Sequence, residues 1–288
     1  MPEASGGRIE EARIRPARLV EGATLEWIPV GAAEPWPGTL AFLDGVQRLE
    51  LLGYHGSSMV LAGEIAAAVR ERRDRRLATA LAERQAFVIG RPAALAAMGE
   101  LEGMATIALP ADETPHPSRD LANAARTLDA ARGALELRLG DRYRAASDGW
   151  LVVDGPLSES PAWAADPRLV GISKSHATLP FEGDDLDRYL RLPAGCRSSI
   201  YRPETRSLAP VSAWALRLWP WEGEDLFHGL VRVEVAPANG TPDVASRLSR
   251  WLLAERAPIS TPDARWDRLL YGIHAVGHFL RTGSGGRH

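Results

Sequence analysis

The sequence predicts an α/β fold with a mixed sheet flanked by helices, and three observations carry that reading. Two short apolar runs, LAFLDG ending on Asp44-Gly45 and WLVVDG ending on Asp154-Gly155, have the make-up of buried strands. The segment from Ser118 to Ala146 has helical periodicity and many alanines. It feeds directly into the second run, an order suited to a crossover between parallel strands. The chain has neither an internal repeat nor a long low-complexity linker, so its 288 residues read as one main domain.

Residues 1–37 are polar, with Pro and Gly near their end (AAEPWPG), which reads as an arm or edge element ahead of a core spanning residues 38–282. TLAFLD is the first strand of that core. Val46 to Tyr54, with alternate polar positions, reads as its antiparallel partner. An apolar stretch from Val60 to Val69 then leads into RERRDRR, read as a helix. AFVIGR and ATIALPA are short strands bounded by Pro92 and Pro110. After WLVVDG come the strand LVGISKSH, the short helix GDDLDRYLRL and three strand-like runs, RSSIYRP, SAWALRLW and FHGLVRVEVA. Two helices, from Pro242 to Glu255 and from Asp263 to Arg281, close the core, and residues 283–288 form a flexible tail.

Composition excludes several classes. With 45% hydrophobic residues there is ample core material, and a net charge of −3 argues against a globally basic nucleic-acid coat; an anionic partner would be gripped by a local patch. A single cysteine, Cys196, rules out an intramolecular disulfide framework and a Cys-cluster zinc site, and it suits a reducing cytoplasm. The polar start MPEASGGRIEEARIRPARL does not read as a signal peptide, and no apolar run is long enough to span a bilayer. Lys174 is the only lysine among many arginines. A GC-rich genome would account for the scarcity. A compact ammonium would also suit a narrow approach to one phosphate oxygen, where the wide guanidinium fork does not fit.

Strand ends that deliver carboxylates are candidate oxygen-ligand sites for hard divalent cations, so Asp44 and Asp154 are the first candidates; Asp-Gly is equally a common turn signal. Glu136, on the long helix, could be aimed back at the same place, or could be a solvated partner of an arginine. On the last helix Tyr271, His274 and His278 share a face. The spacing His-x-x-x-His lacks the glutamate of a zinc protease, leaving a metal ligand, a proton shuttle or satisfied half-buried imidazoles. Arg70, Arg72, Arg73, Arg75 and Arg76 cluster on the predicted helix. Arg197, Arg202, Arg217 and Arg232 lie on strand-like runs near Trp214, Trp219 and Trp221, a mixture suited to single-stranded nucleic acid. P-loop, nucleophile-elbow and dinucleotide-binding motifs are absent.

Taken in order, LAFLDGVQRLE, ALELRLGDRY leading into LVVDGPL, LVGISKSH, CRSSIYRP, SAWALRLW, GLVRVEV and RWDRLLYGIHAVGHFLR resemble the NurA family of DNA end-processing nucleases, from about Thr39 to Arg281. The resemblance implies an RNase H-like core with carboxylates around manganese or magnesium. It implies exonuclease action on DNA, with single-strand endonuclease action besides, in end resection, repair or phage defence. It also implies a hexameric HerA-type ATPase as partner and a ring-like homodimer, to which LEWIPV and Trp36 would contribute unless they cover their own core. Residue by residue, Asp44, Glu136 and Asp154 resemble the family's metal-binding carboxylates, and Tyr271 its late tyrosine. His278 fits the family's late histidine better than His274, although Gly272 replaces the family's proline. Lys174, Arg197, Arg202 and Arg217 would contact DNA. A non-catalytic adaptor of a motor ATPase on the same fold, or a metal-dependent ribonuclease or phosphatase, are the alternatives.

Overall fold

The structure, a computed structural model, describes residues 13–73, 76–99, 101–111, 114–204, 209–256 and 270–282. Strands β1 (Arg13–Ile14), β2 (Ala17–Leu19) and β3 (Trp27–Pro29) precede three long strands, β4 (Leu40–His55), β5 (Ser58–Arg73) and β6 (Arg76–Gly90). Helix α1 (Pro92–Met98), β7 (Ala105–Ala108), the long helix α2 (Pro117–Ala146) and β8 (Trp150–Asp154) follow. Next come α3 (Pro161–Ala165), β9 (Leu169–Ser173), β10 (Thr178–Leu179), α4 (Gly183–Leu190), β11 (Cys196–Ser198) and β12 (Tyr201–Pro203). Strands β13 (Ser212–Arg217) and β14 (Leu230–Val235) lead to helices α5 (Pro242–Ala254) and α6 (Tyr271–Thr282). Two units result: residues 39–151 with 272–288, and residues 1–38 with 152–271.

In the first unit, β4, β5 and β6 form an antiparallel meander, and β7 adds in parallel to β6. The mixed α/β class read from the sequence therefore holds. Two readings do not. Val46 to Tyr54 is the continuation of the first strand, not its partner; β4 runs unbroken through Asp44-Gly45, and its partner is β5, with Asp44 opposite Ala68 and Gly45 opposite Ala67. RERR is strand, not helix: β5 extends to Arg73, while Asp74 and Arg75 lie outside the described residues. The side chains display the two-residue period of a strand. Arg70 turns to one face, where it donates to the carbonyl oxygens of Ala275 and Leu77 and lies 4.9 Å over the Phe279 ring of α6. Glu71 turns to the other, accepting from Tyr143 of α2 at 3.0 Å.

Helix α2 is where the periodicity placed it. Its Leu128 is fully buried and occupies the space over Gly63 of β5, where an added Cβ would lie 3.0 Å from the leucine Cδ1. Near its start, Asp120 makes a buried two-point ion pair with Arg91 at 2.8 and 2.9 Å. Removing one partner of such a pair costs about 3–5 kcal/mol. After α2 the Trp150 N–H donates to the Thr39 carbonyl at 2.9 Å, so the chain returns beside the start of β4.

In the second unit the strand order is β2-β12-β13-β14-β9-β8, with β11 joining β13 to β3 and a small parallel pair, β1 with β10. Pairings along β2-β12-β13-β14-β9 are antiparallel. The described residues before Gly38 are built into this unit: β2 and β3 pair with β12 and β11. Leu25, Val30 and Trp36 are buried in it, and the Trp36 ring lies 5.3 Å from Trp251. Helix α4 covers a cluster of Tyr189, Leu192, Phe181 and Tyr201. Residues 263–269, expected as the start of the last helix, lie outside the described residues. Among the described residues no helix is long and apolar enough to cross a membrane.

Candidate active site

Asp44 sits in mid-strand with Phe42 on the side of β4 that faces α6, and the closeness of that helix depends on two missing side chains. A Cβ at Gly272 would lie 2.3 Å from the Phe42 ring, and one at Gly277 would lie 2.7 Å from Asp44 Oδ2. Gly272 thus stands where the helix has no room for a side chain. The Arg281 guanidinium flanks the same point, its terminal nitrogens 3.3 and 3.4 Å from the Gly277 position. The other carboxylate oxygen, Oδ1, accepts the Gly45 N–H at 2.8 Å.

Glu136 approaches the next residue from α2. A Cβ at Gly45 would lie 2.1 Å from Glu136 Oε1, so the carboxylate lies down on the strand only because position 45 has no side chain. Alternation along β4 directs Asp44 toward α6 and the open side of Gly45 toward α2. The two carboxylates therefore flank one peptide group from opposite faces. Glu136 pairs with Arg132 one turn earlier on α2, and Arg132 also holds Asp129 at 2.8 Å and Gln47 at 3.2 Å. Burial works against the Arg132 charge; Glu136 and Asp129 outweigh it and hold the guanidinium above its ordinary pKa.

On α6, His274 lies three residues before Gly277 and Arg281 four after, which puts both on the helix face turned to Asp44. His278 is exposed, His274 is half-buried, and their ring centroids are 6.2 Å apart. By helix spacing His274 lies nearer that face than His278 does. Tyr271, in the first turn, is 54% exposed.

Asp154 belongs to the second unit, and here the Asp-Gly pair does end a strand. Gly155 has φ 135°, a conformation open to glycine and strained for other residues. Lys174, just past β9, places Nζ 2.6 Å from Asp154 Oδ2. The turn after Asp154 is clamped. Gly155 N–H donates to the Ile172 carbonyl at 2.9 Å, and the turn packs against Gly171, where a Cβ would lie 2.7 Å from the Gly155 carbonyl oxygen. Glu234 Oε2 of β14 accepts the N–H groups of Leu157 and Ser158 at 2.9 and 3.2 Å. Its other oxygen accepts from Arg232 Nε at 3.2 Å, while Arg232 Nη2 donates to Ser173 Oγ at 3.2 Å. Burial opposes the Arg232 charge, and Glu234 overrides it, leaving that guanidinium above its ordinary pKa.

Two of the expected DNA contacts, Arg197 and Arg217, are corrected by burial. Arg197 is 1% exposed, and its guanidinium is spent on Glu21 at 2.6 and 2.9 Å and on Ser246 at 3.0 Å. Arg217 is fully buried and donates to the carbonyl oxygens of Leu190, Leu192, Leu226 and His228; burial depresses its pKa to about 10. Arg232 is spent on Glu234. Trp214 is buried likewise and donates to Ser249 Oγ at 3.0 Å. Arg202 is half-buried on β12.

A divalent cation prefers oxygen donors, and Asp44, Glu136 and Asp154 supply the right chemistry. Among the described residues no three His, Cys, Asp or Glu side chains are already gathered into a cage. Two of the carboxylates carry a cationic side chain instead, Arg132 on Glu136 and Lys174 on Asp154. The residues fit a metal by donor type, with these cations in competition for the same oxygens.

No protein-family model and no curated protein sequence matches the chain. Among solved structures, the NurA nuclease from Sulfolobus solfataricus is similar to it with a TM-score of 0.51 at 12% identity, over 89% of this chain and 86% of that one. The catalytic domain of human endonuclease V gives a TM-score of 0.35 at 13% identity, over 86% of this chain and 84% of that one. The fold is thus NurA-like on the strength of the first likeness.

Proposed function

We propose that this protein is a metal-dependent deoxyribonuclease that hydrolyses phosphodiester bonds, with Asp44, Glu136 and Asp154 as its metal-holding carboxylates. The single observation that carries the reading is the fit of α2 and α6 around Asp44-Gly45. Space is left at Gly45 for one carboxylate and at Gly277 for another, and neither glycine is needed there for a turn. Surface carboxylates do not require such clearance. The NurA-like fold supports the same assignment.

Bound manganese or magnesium would supply an activated water and charge relief on the leaving oxygen. The chain's own residues do the rest. Asp44 and Glu136 present oxygen donors from opposite faces of β4, so sharing one ion requires the Glu136 carboxylate to leave Arg132 and turn past Gly45, where no side chain obstructs it. Lys174 moves between two negative partners, the Asp154 carboxylate and a phosphate oxygen. His274, as the α6 imidazole on the Asp44 side, accepts or returns a proton, and Tyr271 offers a phenol at the exposed start of the same helix. Partnership with a hexameric HerA-type ATPase and a homodimeric state belong to the same proposal and rest on the family resemblance.

Incubation of the purified protein with end-labelled DNA, RNA and a phosphate monoester, each with manganese and with chelator, tests the reading. Cleavage of DNA with manganese alone is expected. Cleavage of RNA or the monoester in place of DNA would move the protein to another hydrolase class.

A further inference from the structure

Asp154 and Lys174 are joined by an ion pair between two chain segments that each end a strand; β8 and β9 are neighbours in the sheet, and Gly155 N–H donates to the Ile172 carbonyl at 2.9 Å. A second hold, on the side chains and the turn beyond, comes from β14. Arg232 and Glu234, two residues apart, point to the same face of that strand. Arg232 lies opposite Ser173 and Glu234 opposite Gly171 in the β14–β9 ladder. Because Gly171 has no side chain, the Glu234 carboxylate reaches the turn beyond Asp154 and takes the N–H groups of Leu157 and Ser158 at 2.9 and 3.2 Å. Arg232 meanwhile ties Ser173, the residue before Lys174, at 3.2 Å. The two side chains are 16% and 3% exposed and hold each other at 3.2 Å.

We propose that the buried Arg232–Glu234 pair is a positioning device that sets the Asp154 turn and the Lys174 segment in register, so that the ammonium is delivered onto the carboxylate. Each member grips one side: Glu234 the turn that follows Asp154, Arg232 the strand end that precedes Lys174. A charged pair in the apolar run LVRVEV has a desolvation cost that an apolar pair would not. Its retention is explained by what its remaining donors and acceptors hold. Its contribution to catalysis rests on the nuclease reading; its hold on Lys174 does not.

Lys174 being the only lysine makes that hold directly measurable. The full chain is treated with an amine-acylating reagent at fixed neutral pH, and modification of the Lys174 peptide is followed by mass spectrometry. Asp154→Asn sets the rate for a released ammonium. In Glu234→Gln, whose shape is kept while the charge is lost, Lys174 should be acylated at least fivefold faster than in the parent, approaching the Asp154→Asn rate. With DNA as substrate, kcat should fall at least tenfold with KM unchanged, a split that general loosening would not produce. An unchanged Lys174 rate in folded Glu234→Gln overturns the proposal. Should that variant fail to fold, Ser173→Ala removes the Arg232 tether alone; a twofold faster acylation supports the proposal, and no change overturns it. If the parent protein cleaves nothing, the nuclease reading fails while the acylation rates still decide this one.

Discussion

The two Asp-Gly pairs look alike in sequence and are built in opposite ways. At Asp154-Gly155 the glycine works through its backbone: a φ of 135° turns the chain off β8, and N–H groups donated to Glu234 hold the turn. At Asp44-Gly45 the strand does not end at all. There the glycine works through its missing Cβ, which leaves a place for the Glu136 carboxylate, as Gly277 does for Asp44. The Asp154 turn is held by hydrogen bonds, and at Asp44 the clearance at Gly277 adds to the bond from the Gly45 N–H. A polar network tolerates small shifts and fails when a partner is lost; a close steric fit fails when a single carbon is added.

Adding that carbon at position 45 breaks the comparison most sharply. Gly45→Ala places a methyl group 2.1 Å from where Glu136 Oε1 lies, so the carboxylate must leave. Position 45 lies in a strand without positive φ, so the fold should survive with little change in melting temperature. DNA cleavage should fall by roughly 10–100-fold, as expected for misplacement of about an ångström in a catalytic group. Gly155→Ala, by contrast, meets no neighbouring atom and acts through backbone strain, so its loss should appear first as stability.

A smaller effect is expected from Gly272→Ala, which drives a methyl group to 2.3 Å from the Phe42 ring. Overpacking of this kind costs about 1–3 kcal/mol, offset in part by the better helix propensity of alanine, so thermal melting should drop by a few degrees. An unchanged or raised melting temperature would mean that α6 can move away from β4 freely, and the clearance argument at Gly277 would weaken with it.

The smallest effect lies in the second unit. His176 Nε2 donates to the Leu230 carbonyl at 3.0 Å, and the ring stacks on Phe227 at 4.9 Å. Burial lowers its pKa to about 4 from 6.5, with Arg232 and Arg217 also disfavouring its charge and Asp225 opposing them. The unfolded chain therefore binds a proton that the folded chain refuses. Stability from this residue is complete above pH 6.5 and is lost as pH falls toward 4, amounting to roughly 1–3 kcal/mol. Denaturant titrations at pH 7 and pH 5 should show this slope in the parent and a flatter one in His176→Asn.

Much of the architecture was legible because it is written in periodicity. The apolar alternation and helical spacing of α2, α4, α5, β8 and β13 stand within two residues of where the sequence places them, and β9 and β14 within three. Local signals misled where a tertiary partner decided the outcome. Asp44-Gly45 has turn chemistry, yet the paired alanines of β5 on one side and two helices above and below keep it extended. RERR is charged enough for a solvated helix, but Arg70 and Glu71 each find a helix on opposite faces. Arginine composition cannot tell an outward from an inward side chain, which is why Arg197 and Arg217 passed for DNA contacts. One signal was available and unused: Glu234 and Arg232 in an otherwise apolar strand, where a charge facing the core must be holding something.

The most direct test is manganese-dependent cleavage of end-labelled DNA by the parent and by Asp44→Ala, with chelator controls. The clearance account predicts cleavage by the parent that chelator abolishes, and a loss of at least about 1,000-fold in Asp44→Ala with an unchanged melting curve. Equal cleavage by the two proteins would contradict it.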